Sequence, residues 1–212
     1  MPRRRTTRAE LLDAAVAVIR RDGPGASMDA IAAEAGVTKP ILYRHFRNRD
    51  GLTGALAERF AGDLRDRLQG ALARQGEPRE VLAATIEAYV GFIEQEPHLY
   101  HFLVRHALRQ EWDGERLTGF IRQVGADIAV VIGEQLRANG RDSGAAEPWA
   151  YGIVGLVHMA GDWWLERRAL PRQRLVTYLT DLLWSGLEPA VAAADPAAAD
   201  PAAPIHIIKE AT

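Results

Sequence analysis

The stretch that decides the fold is residues 27–52, which read SMDAIAAEAGVTKPILYRHFRNRDGL. Ser27 is a natural N-cap for a short helix, and Gly36 can take the left-handed conformation that ends one. Thr38 is expected to cap a second helix, in which Pro40 occupies the first turn, where its missing N–H costs nothing. The pattern predicts two short helices joined by a tight turn.

Two helices joined in this way, at residues 28–35 and 39–45, are typical of a helix-turn-helix, whose second helix enters the major groove of DNA. Helical spacing turns Val37, Leu42 and Phe46 toward the core. We expect the opposite, exposed side to carry Lys39, Pro40, Tyr43 and Arg44. An exposed tyrosine can hydrogen-bond a phosphate or contact a thymine methyl group, so the stretch predicts a DNA-reading surface.

The charge distribution favours the same interpretation. Residues 1–60 contain 11 basic and 7 acidic residues, whereas residues 61–212 contain 15 basic and 21 acidic residues. We call the basic N-terminal part of the chain the head and the acidic remainder the body. This asymmetry of charge is expected where only the head contacts DNA phosphates. Further positive charge for the DNA backbone or an adjacent minor groove comes from Arg3, Arg4, Arg5, Arg8 and Arg49.

The rest of the chain is predicted to be helical. A capping box at Thr7–Glu10 opens the first helix, and apolar residues then recur at helical spacing between glycine and proline breaks. No alternating, β-rich run occurs. We therefore predict an all-α protein of about nine helices, with a DNA-binding domain at 1–52, a second domain at 53–188 and an Ala/Pro-rich tail at 189–212, whose composition cannot form a core.

The head resembles the DNA-binding domain of TetR-family transcriptional regulators over about residues 7–55. The resemblance lies in AIA at 30–32, GVTKPILYRHF at 36–46 and RDGL at 49–52. It implies a bacterial regulator that binds double-stranded DNA, and it places the DNA contacts on Ser27, Thr38, Lys39, Pro40, Ile41, Tyr43, Arg44, His45 and Arg49. Arg49 replaces the usual lysine, and Ile41 favours an apolar, thymine-reading contact.

The body is rich in aromatic residues. Residues 61–212 carry 12 of the 15 aromatic residues and several histidines, which suits an apolar pocket with a few polar anchors. Since the resemblance implies a ligand-binding and dimerisation domain here, we expect an apolar small-molecule effector to contact Tyr89, Phe92, Phe102, His106, Phe120, His158, Trp163 and Trp164. Ordinary core packing is the alternative for each of them. The stretch GLVHMAGDWW at 155–164 also resembles TetR-family members that sense fatty acids or acyl thioesters.

The last two predicted helices are apolar on more than one face. A terminal helix needs only one buried face, so the second face predicts a partner chain. We expect a two-fold, four-helix interface of a homodimer. The residues assigned to it are Gly152, Gly155, Met159, Leu175, Leu179, Leu182 and Leu183.

Several other classes of protein are not expected. The chain has no cysteine, and its three serines lie outside any nucleophile-elbow context, so no catalytic residue or cofactor is assigned. His98 and His101 lack an acidic partner at clear spacing, so no metal is expected. The longest apolar run, 149–161, is shorter than the roughly 20 residues of a membrane span, and no secretion signal is seen, so we expect a cytoplasmic protein without a membrane partner.

Together these features predict a sequence-specific transcriptional regulator. We expect a repressor that leaves a near-palindromic operator when an effector bound in the body changes the separation of two heads. Two alternatives stay open: a transcriptional activator of the same family, and a DNA-binding protein without a ligand.

Overall fold

The computed structural model describes residues 6–107 and 114–191, apart from the side chains at 104–118, 120–121 and 188–191. Within these ranges the chain forms nine α-helices, one short 3-10 turn at Ser143–Ala145 and no strand. The helices are α1 Arg8–Asp22, α2 Met28–Glu34, α3 Lys39–Phe46, α4 Arg49–Leu72, α5 Pro78–Gln95, α6 Pro97–Ala107, α7 Gly114–Ala138, α8 Ala146–Arg167 and α9 Arg172–Val191. The predicted all-α architecture is confirmed. The tail beyond Val191 lies outside the described residues.

The short helices of the head begin and end largely as predicted. The Thr7 hydroxyl accepts from the Glu10 amide at 3.2 Å, and the Glu10 carboxylate accepts from the Thr7 amide at 2.8 Å, which completes the capping box. Ser27 accepts from the Ala30 amide at 3.1 Å, and Gly36 is left-handed with φ +63°. The prediction for Thr38 was wrong in one respect. It lies at the N-cap of α3, but its side chain makes no capping hydrogen bond.

A first hydrophobic core holds the head together. It is built from α1, α2 and α3, the first turns of α4, and three residues of α6. Leu42 of α3 is fully buried there, and Leu52 and Leu56 of α4 join it. The α6 members are Leu99, Phe102 and Leu103. Helix α6 therefore packs into the head although it follows the head by some fifty residues in sequence.

A second core fills the body between α4, α5, α7, α8 and α9. Helix α4 reaches both cores, because Leu52 and Leu56 lie in the first and Leu64 and Leu68 in the second. The predicted domain boundary between residues 52 and 53 thus falls inside one continuous helix. None of the described helices combines the length and apolarity that a membrane span requires.

Candidate nucleic-acid interface and ligand cavity

The predicted recognition helix, α3, is anchored by its buried side. Leu42 and Phe46 are buried, and Val37 in the preceding turn packs against the same core. The turn is closed by a hydrogen bond from the Val37 amide to the carbonyl of Ala32, at 3.0 Å. The opposite side is exposed at Thr38, Lys39, Pro40 and Arg44, while Ile41, Tyr43 and His45 are partly buried. The side of α3 that faces away from the core is thus open to solvent.

Tyr43 differs from the prediction of a fully exposed side chain. It is partly buried and packs against the first core, so its ring supports the head while part of it still meets solvent. Its backbone carbonyl accepts from the Arg47 amide at 2.6 Å, where α3 ends. A substitution that removes the ring would therefore alter packing as well as any DNA contact.

Lys39 is held by an ion pair that the sequence analysis did not predict. Its Nζ lies 2.9 Å from Oδ2 of Asp29, across the turn between α2 and α3. The hydrogen bond with Asp29 raises the pKa of Lys39, so the ammonium group stays charged. The pair is exposed, and a DNA phosphate could compete with Asp29 for the same ammonium group.

Arg49 lies at the junction between head and body. It is the first residue of α4, and its guanidinium carbon lies 6.0 Å from the ring centre of Phe102 in α6. Asn48 caps the helix, since its Oδ1 accepts from the Gly51 amide at 2.8 Å. The guanidinium group thus lies next to an aromatic ring at the start of α4, directly after the turn that follows α3.

An apolar cavity of about 270 Å³ lies in the body. Its wall comes from α4, α5, α7, α8 and α9 and is mostly aliphatic. Representative wall residues are Leu64, Leu68, Leu82, Ile86, Val124, Ile128, Ile153 and Val157. Its size approaches the range of small-molecule sites, and its composition fits an apolar ligand. The sequence did not predict this aliphatic wall. One pattern does point to it, because Leu64, Leu68 and Leu72 recur at four-residue spacing and so lie on one side of α4.

Polar side chains close one end of the cavity. The hydroxyl of Tyr89 lies 2.9 Å from Nδ1 of His158, and both residues line the cavity. The Tyr100 ring stacks edge-on against His158, and its hydroxyl donates to Oδ1 of Asp162 at 3.2 Å. Burial raises the pKa of both Tyr89 and Tyr100 above the ordinary value, so both hydroxyls stay protonated at neutral pH.

The structure separates the residues that were predicted to contact a ligand. Tyr89 and His158 line the cavity, whereas Phe92, Phe102 and Trp164 do not. Phe92 packs on Phe60 with ring centres 4.6 Å apart, Phe102 lies in the first core, and Trp164 is buried in the second core. Each of these three aromatic rings packs against other helices of the same chain, and none of them lines the cavity. Trp163 is exposed, and the side chains of His106 and Phe120 lie outside the described residues.

The residues predicted for a dimer interface also fall into two groups. Leu175 and Leu179 of α9 are buried in the chain's own second core, and Leu183 packs against it, which corrects their assignment to a dimer interface. Gly152, Gly155, Met159 and Leu182 are exposed. Met159 and Leu182 are 65 % and 61 % exposed, and Trp163 and Tyr178 on the same two helices are exposed as well. We call the exposed residues Gly152, Gly155, Met159, Trp163, Tyr178 and Leu182 the outer face.

Comparison with known proteins agrees with this architecture. Residues 11–56 match the family model of bacterial regulatory proteins of the tetR family, and residues 67–199 match that of the tetracyclin repressor-like C-terminal domain. An uncharacterised HTH-type transcriptional regulator of Mycobacterium tuberculosis is 35 % identical over 185 residues, covering 85 % of this chain and 76 % of that protein.

Two further relatives cover most of the chain. The HTH-type transcriptional activator FasR of Mycolicibacterium smegmatis is 29 % identical over 190 residues, covering 85 % of this chain and 82 % of that protein. The crystal structure of a TetR-like transcriptional regulator from Rhodococcus sp. RHA1 superposes with a TM-score of 0.64 at 26 % identity, covering 89 % of this chain and 98 % of that one. A helix-turn-helix head on a matching helical body confirms the resemblance seen in the sequence, and this chain belongs to the TetR family of DNA-binding transcriptional regulators.

Proposed function

We propose that this protein is a cytoplasmic repressor that leaves a near-palindromic operator when an apolar small-molecule effector enters the cavity. The observation that carries the proposal is the mostly aliphatic cavity, whose lining residue His158 contacts Tyr100 of α6. An effector shifts the equilibrium only if it binds the DNA-bound and free conformations with different affinity. The proposal therefore requires that the conformation of the head depends on the occupancy of the cavity.

Helix α6 supplies a physical route between cavity and head. Tyr100 of α6 lies in the second core beside the polar end of the cavity, while Leu99 and Phe102 lie in the first core. At the start of α6, Nδ1 of His98 donates to the backbone carbonyl of Arg20 at 2.9 Å, which ties α6 to the end of α1. A ligand that displaces His158, whose ring contacts Tyr100, thus acts on a helix that is part of the head's core.

Capture of genomic fragments by the purified protein at physiological salt tests the function. A shared near-palindrome, with half-sites one helical turn or a multiple apart, supports a dimeric regulator. No enriched sequence from a folded dimer contradicts it. The position of the sites relative to promoters separates a repressor from an activator, the alternative favoured by the FasR relative. Release from the operator by a cavity ligand excludes a DNA-binding protein without an effector.

Arg49→Ala is expected to weaken binding to all DNA sequences similarly and to reduce the slope of log K against log salt by about one, because Arg49 is assigned to a backbone phosphate. Fluorescence anisotropy with operator and scrambled duplexes at several salt concentrations measures both quantities. Arg59→Ala is the matched control, since Arg59 lies farther along α4 and pairs with Asp13 at 2.6 Å. A loss confined to the operator would mean that Arg49 reads bases.

We also propose that the outer face forms the interface of a homodimer. Helices α8 and α9 both pack on α5 and contact each other, so their remaining sides point away from the chain's own core. Gly152 and Gly155 would meet no neighbour with an added Cβ, which leaves room for close helix approach. A two-fold axis would use this face twice and place two heads on one operator.

Leu182→Glu is expected to convert the dimer into a monomer at micromolar concentration, because a two-fold interface would bury two like charges. Loss of the dimer should also lower the affinity for a full palindromic operator. The substitution itself should change the melting temperature of the monomer little. Sedimentation velocity measures the oligomeric state. Val130→Glu is the control, since Val130 is an exposed apolar residue of α7 at 58 % exposure. A Leu182→Glu variant that stays dimeric would place the interface elsewhere.

A further inference from the structure

A side-chain pair binds the end of α1 to the turn between α5 and α6. Glu96 is the single residue between α5 and α6, and its side chain is only 17 % exposed. Nε of Arg20 donates to Oε2 of Glu96 at 2.9 Å, and Nη2 of Arg20 donates to Oε1. A guanidinium that makes two such bonds to one carboxylate is held in orientation as well as in position.

A third hydrogen bond joins the same two parts of the chain. The last four carbonyl groups of a helix have no partner within that helix. The carbonyl of Arg20 is one of these in α1, and it accepts from Nδ1 of His98 at 2.9 Å. Arg20 is therefore bound to the start of α6 through both its side chain and its backbone. We call Arg20, Glu96 and His98 the clasp.

The other contacts between head and body constrain the orientation of the head less. Helix α4 runs through both cores, but a long helix can curve. The α6 residues in the first core, Leu99, Phe102 and Leu103, make apolar contacts, and the hydrophobic effect is not directional. The clasp adds a directional attachment at a second helix of the head.

We infer that the clasp fixes the orientation of the head on the body and thereby sets the spacing of the two half-sites that the dimer reads. The inference rests on the proposed function, since a spacing exists only for two heads on one near-palindrome. Each base pair inserted between the half-sites turns one of them by about 34° and moves it by about 3.4 Å. A head that is held by the clasp tolerates little of either change, and a head that can turn tolerates more.

Spin labels test the clasp in the absence of DNA. The chain has no cysteine, so Ala33→Cys in the head and Ala126→Cys in the body, both at exposed positions, give two defined labelling sites. Pulsed electron paramagnetic resonance then measures the distribution of head-to-body distances in the full chain, mixed with excess unlabelled protein so that only distances within one chain contribute. Glu96→Gln should at least double the width of this distribution, because it weakens the attachment at α1.

Glu34→Gln is the matched control for the loss of one carboxylate. Glu34 of α2 lies 2.8 Å from Nη1 of Arg21 in α1, so this ion pair joins two helices of the head and does not reach the body. The distribution of head-to-body distances in Glu34→Gln should match that of the unmodified protein.

Operators of altered spacing test the consequence for DNA binding. The captured operator is synthesised with base pairs inserted or removed between its half-sites, together with a duplex that carries a single half-site. Glu96→Gln should bind the native spacing about tenfold more weakly, because DNA binding must now order the heads. It should lose less affinity than the unmodified protein when the spacing is altered. Its affinity for the single half-site should stay within about twofold, since the clasp is separate from the DNA-reading surface.

Arg20→Gln tests whether the clasp acts as a pair. It should broaden the distance distribution and weaken the dependence on spacing as much as Glu96→Gln does. The double variant should be no worse than either single variant, because all three remove the same interaction. The single half-site duplex is the reference for any direct effect of the Arg20 charge on DNA binding.

The outcomes separate this inference from the proposed function. An unchanged distance distribution in folded Glu96→Gln would overturn the inference. A broader distribution with an unchanged dependence on spacing would overturn the link between clasp and spacing. Much weaker binding of Glu96→Gln to the single half-site would assign Glu96 to the stability of the head and also overturn the inference. Failure to capture any near-palindrome would contradict the proposed function and the link to spacing, while the distance distribution would still decide whether the clasp holds the head.

Discussion

Gly51→Ala is expected to reduce operator affinity toward the non-specific level, about a thousandfold or more below the specific one. A Cβ at this position would collide with the backbone carbonyl of Phe46, the last residue of α3. Because a backbone atom cannot rotate away, α3 must shift against α4, and the recognition surface shifts with it. We also expect a loss of about 1–3 kcal/mol in the free energy of unfolding, as for other overpacked sites. Anisotropy with operator DNA and thermal unfolding measure the two effects.

Gly62→Ala is the matched control in the same helix. A Cβ at Gly62 meets no atom within 4 Å. Replacing glycine by alanine in a helix interior should stabilise the protein by about 0.5–1 kcal/mol. Operator affinity should match that of the unmodified protein. A Gly51→Ala variant that behaves like Gly62→Ala would show that the junction between α3 and α4 does not need glycine.

Trp164→Ala should lower the free energy of unfolding by about 3–5 kcal/mol, which corresponds to a fall of roughly 6–20 °C in melting temperature for a chain of this size. Trp164 is 1 % exposed, its Nε1 donates to the carbonyl of Leu170 at 2.7 Å, and Arg168 stacks 4.4 Å from its ring centre. The substitution leaves a cavity and removes the donor to that carbonyl. Differential scanning calorimetry measures the change.

Trp163→Ala provides the contrast one residue away. Trp163 is 43 % exposed on the outer face, so its removal should change the stability of the chain by less than about 1 kcal/mol. Any larger effect should depend on protein concentration, because it would come from the dimer. Operator affinity of folded Trp164→Ala, measured at low temperature, should stay within about threefold. Equal melting temperatures for the two variants would contradict the assignment of Trp164 to the core.

The head was predictable because its signals are local. Ser27 and Thr7 satisfy backbone amides three residues away, and Gly36 terminates its own helix, so neighbouring residues suffice to identify these features. The side of α3 that is buried also follows from helical spacing alone. The roles of individual residues on DNA remain predictions, since neither spacing nor packing specifies which base or phosphate each one meets.

The body was predictable only in outline. Its helices follow from their periodicity and their glycine and proline breaks. Tyr89 and His158 were predicted and do line the cavity, but its aliphatic wall was not predicted, and the predicted residues Phe92, Phe102 and Trp164 lie in the two cores. An aliphatic or aromatic side chain makes no directional hydrogen bond to a nearby residue, so its neighbours in the sequence do not reveal what it contacts. Whether it fills a core or faces a void depends on which helices meet it.

The sequence by itself determined the helices, the helix-turn-helix head and membership of the TetR family, because capping, periodicity and a contiguous motif act over a few residues. Only the tertiary structure decided the pairing of Lys39 with Asp29, the sharing of α6 between two cores, the need for glycine at position 51 and the apolar cavity between five helices. These features arise where residues of different helices come into contact. Their geometry depends on packing, which no local pattern of residues encodes.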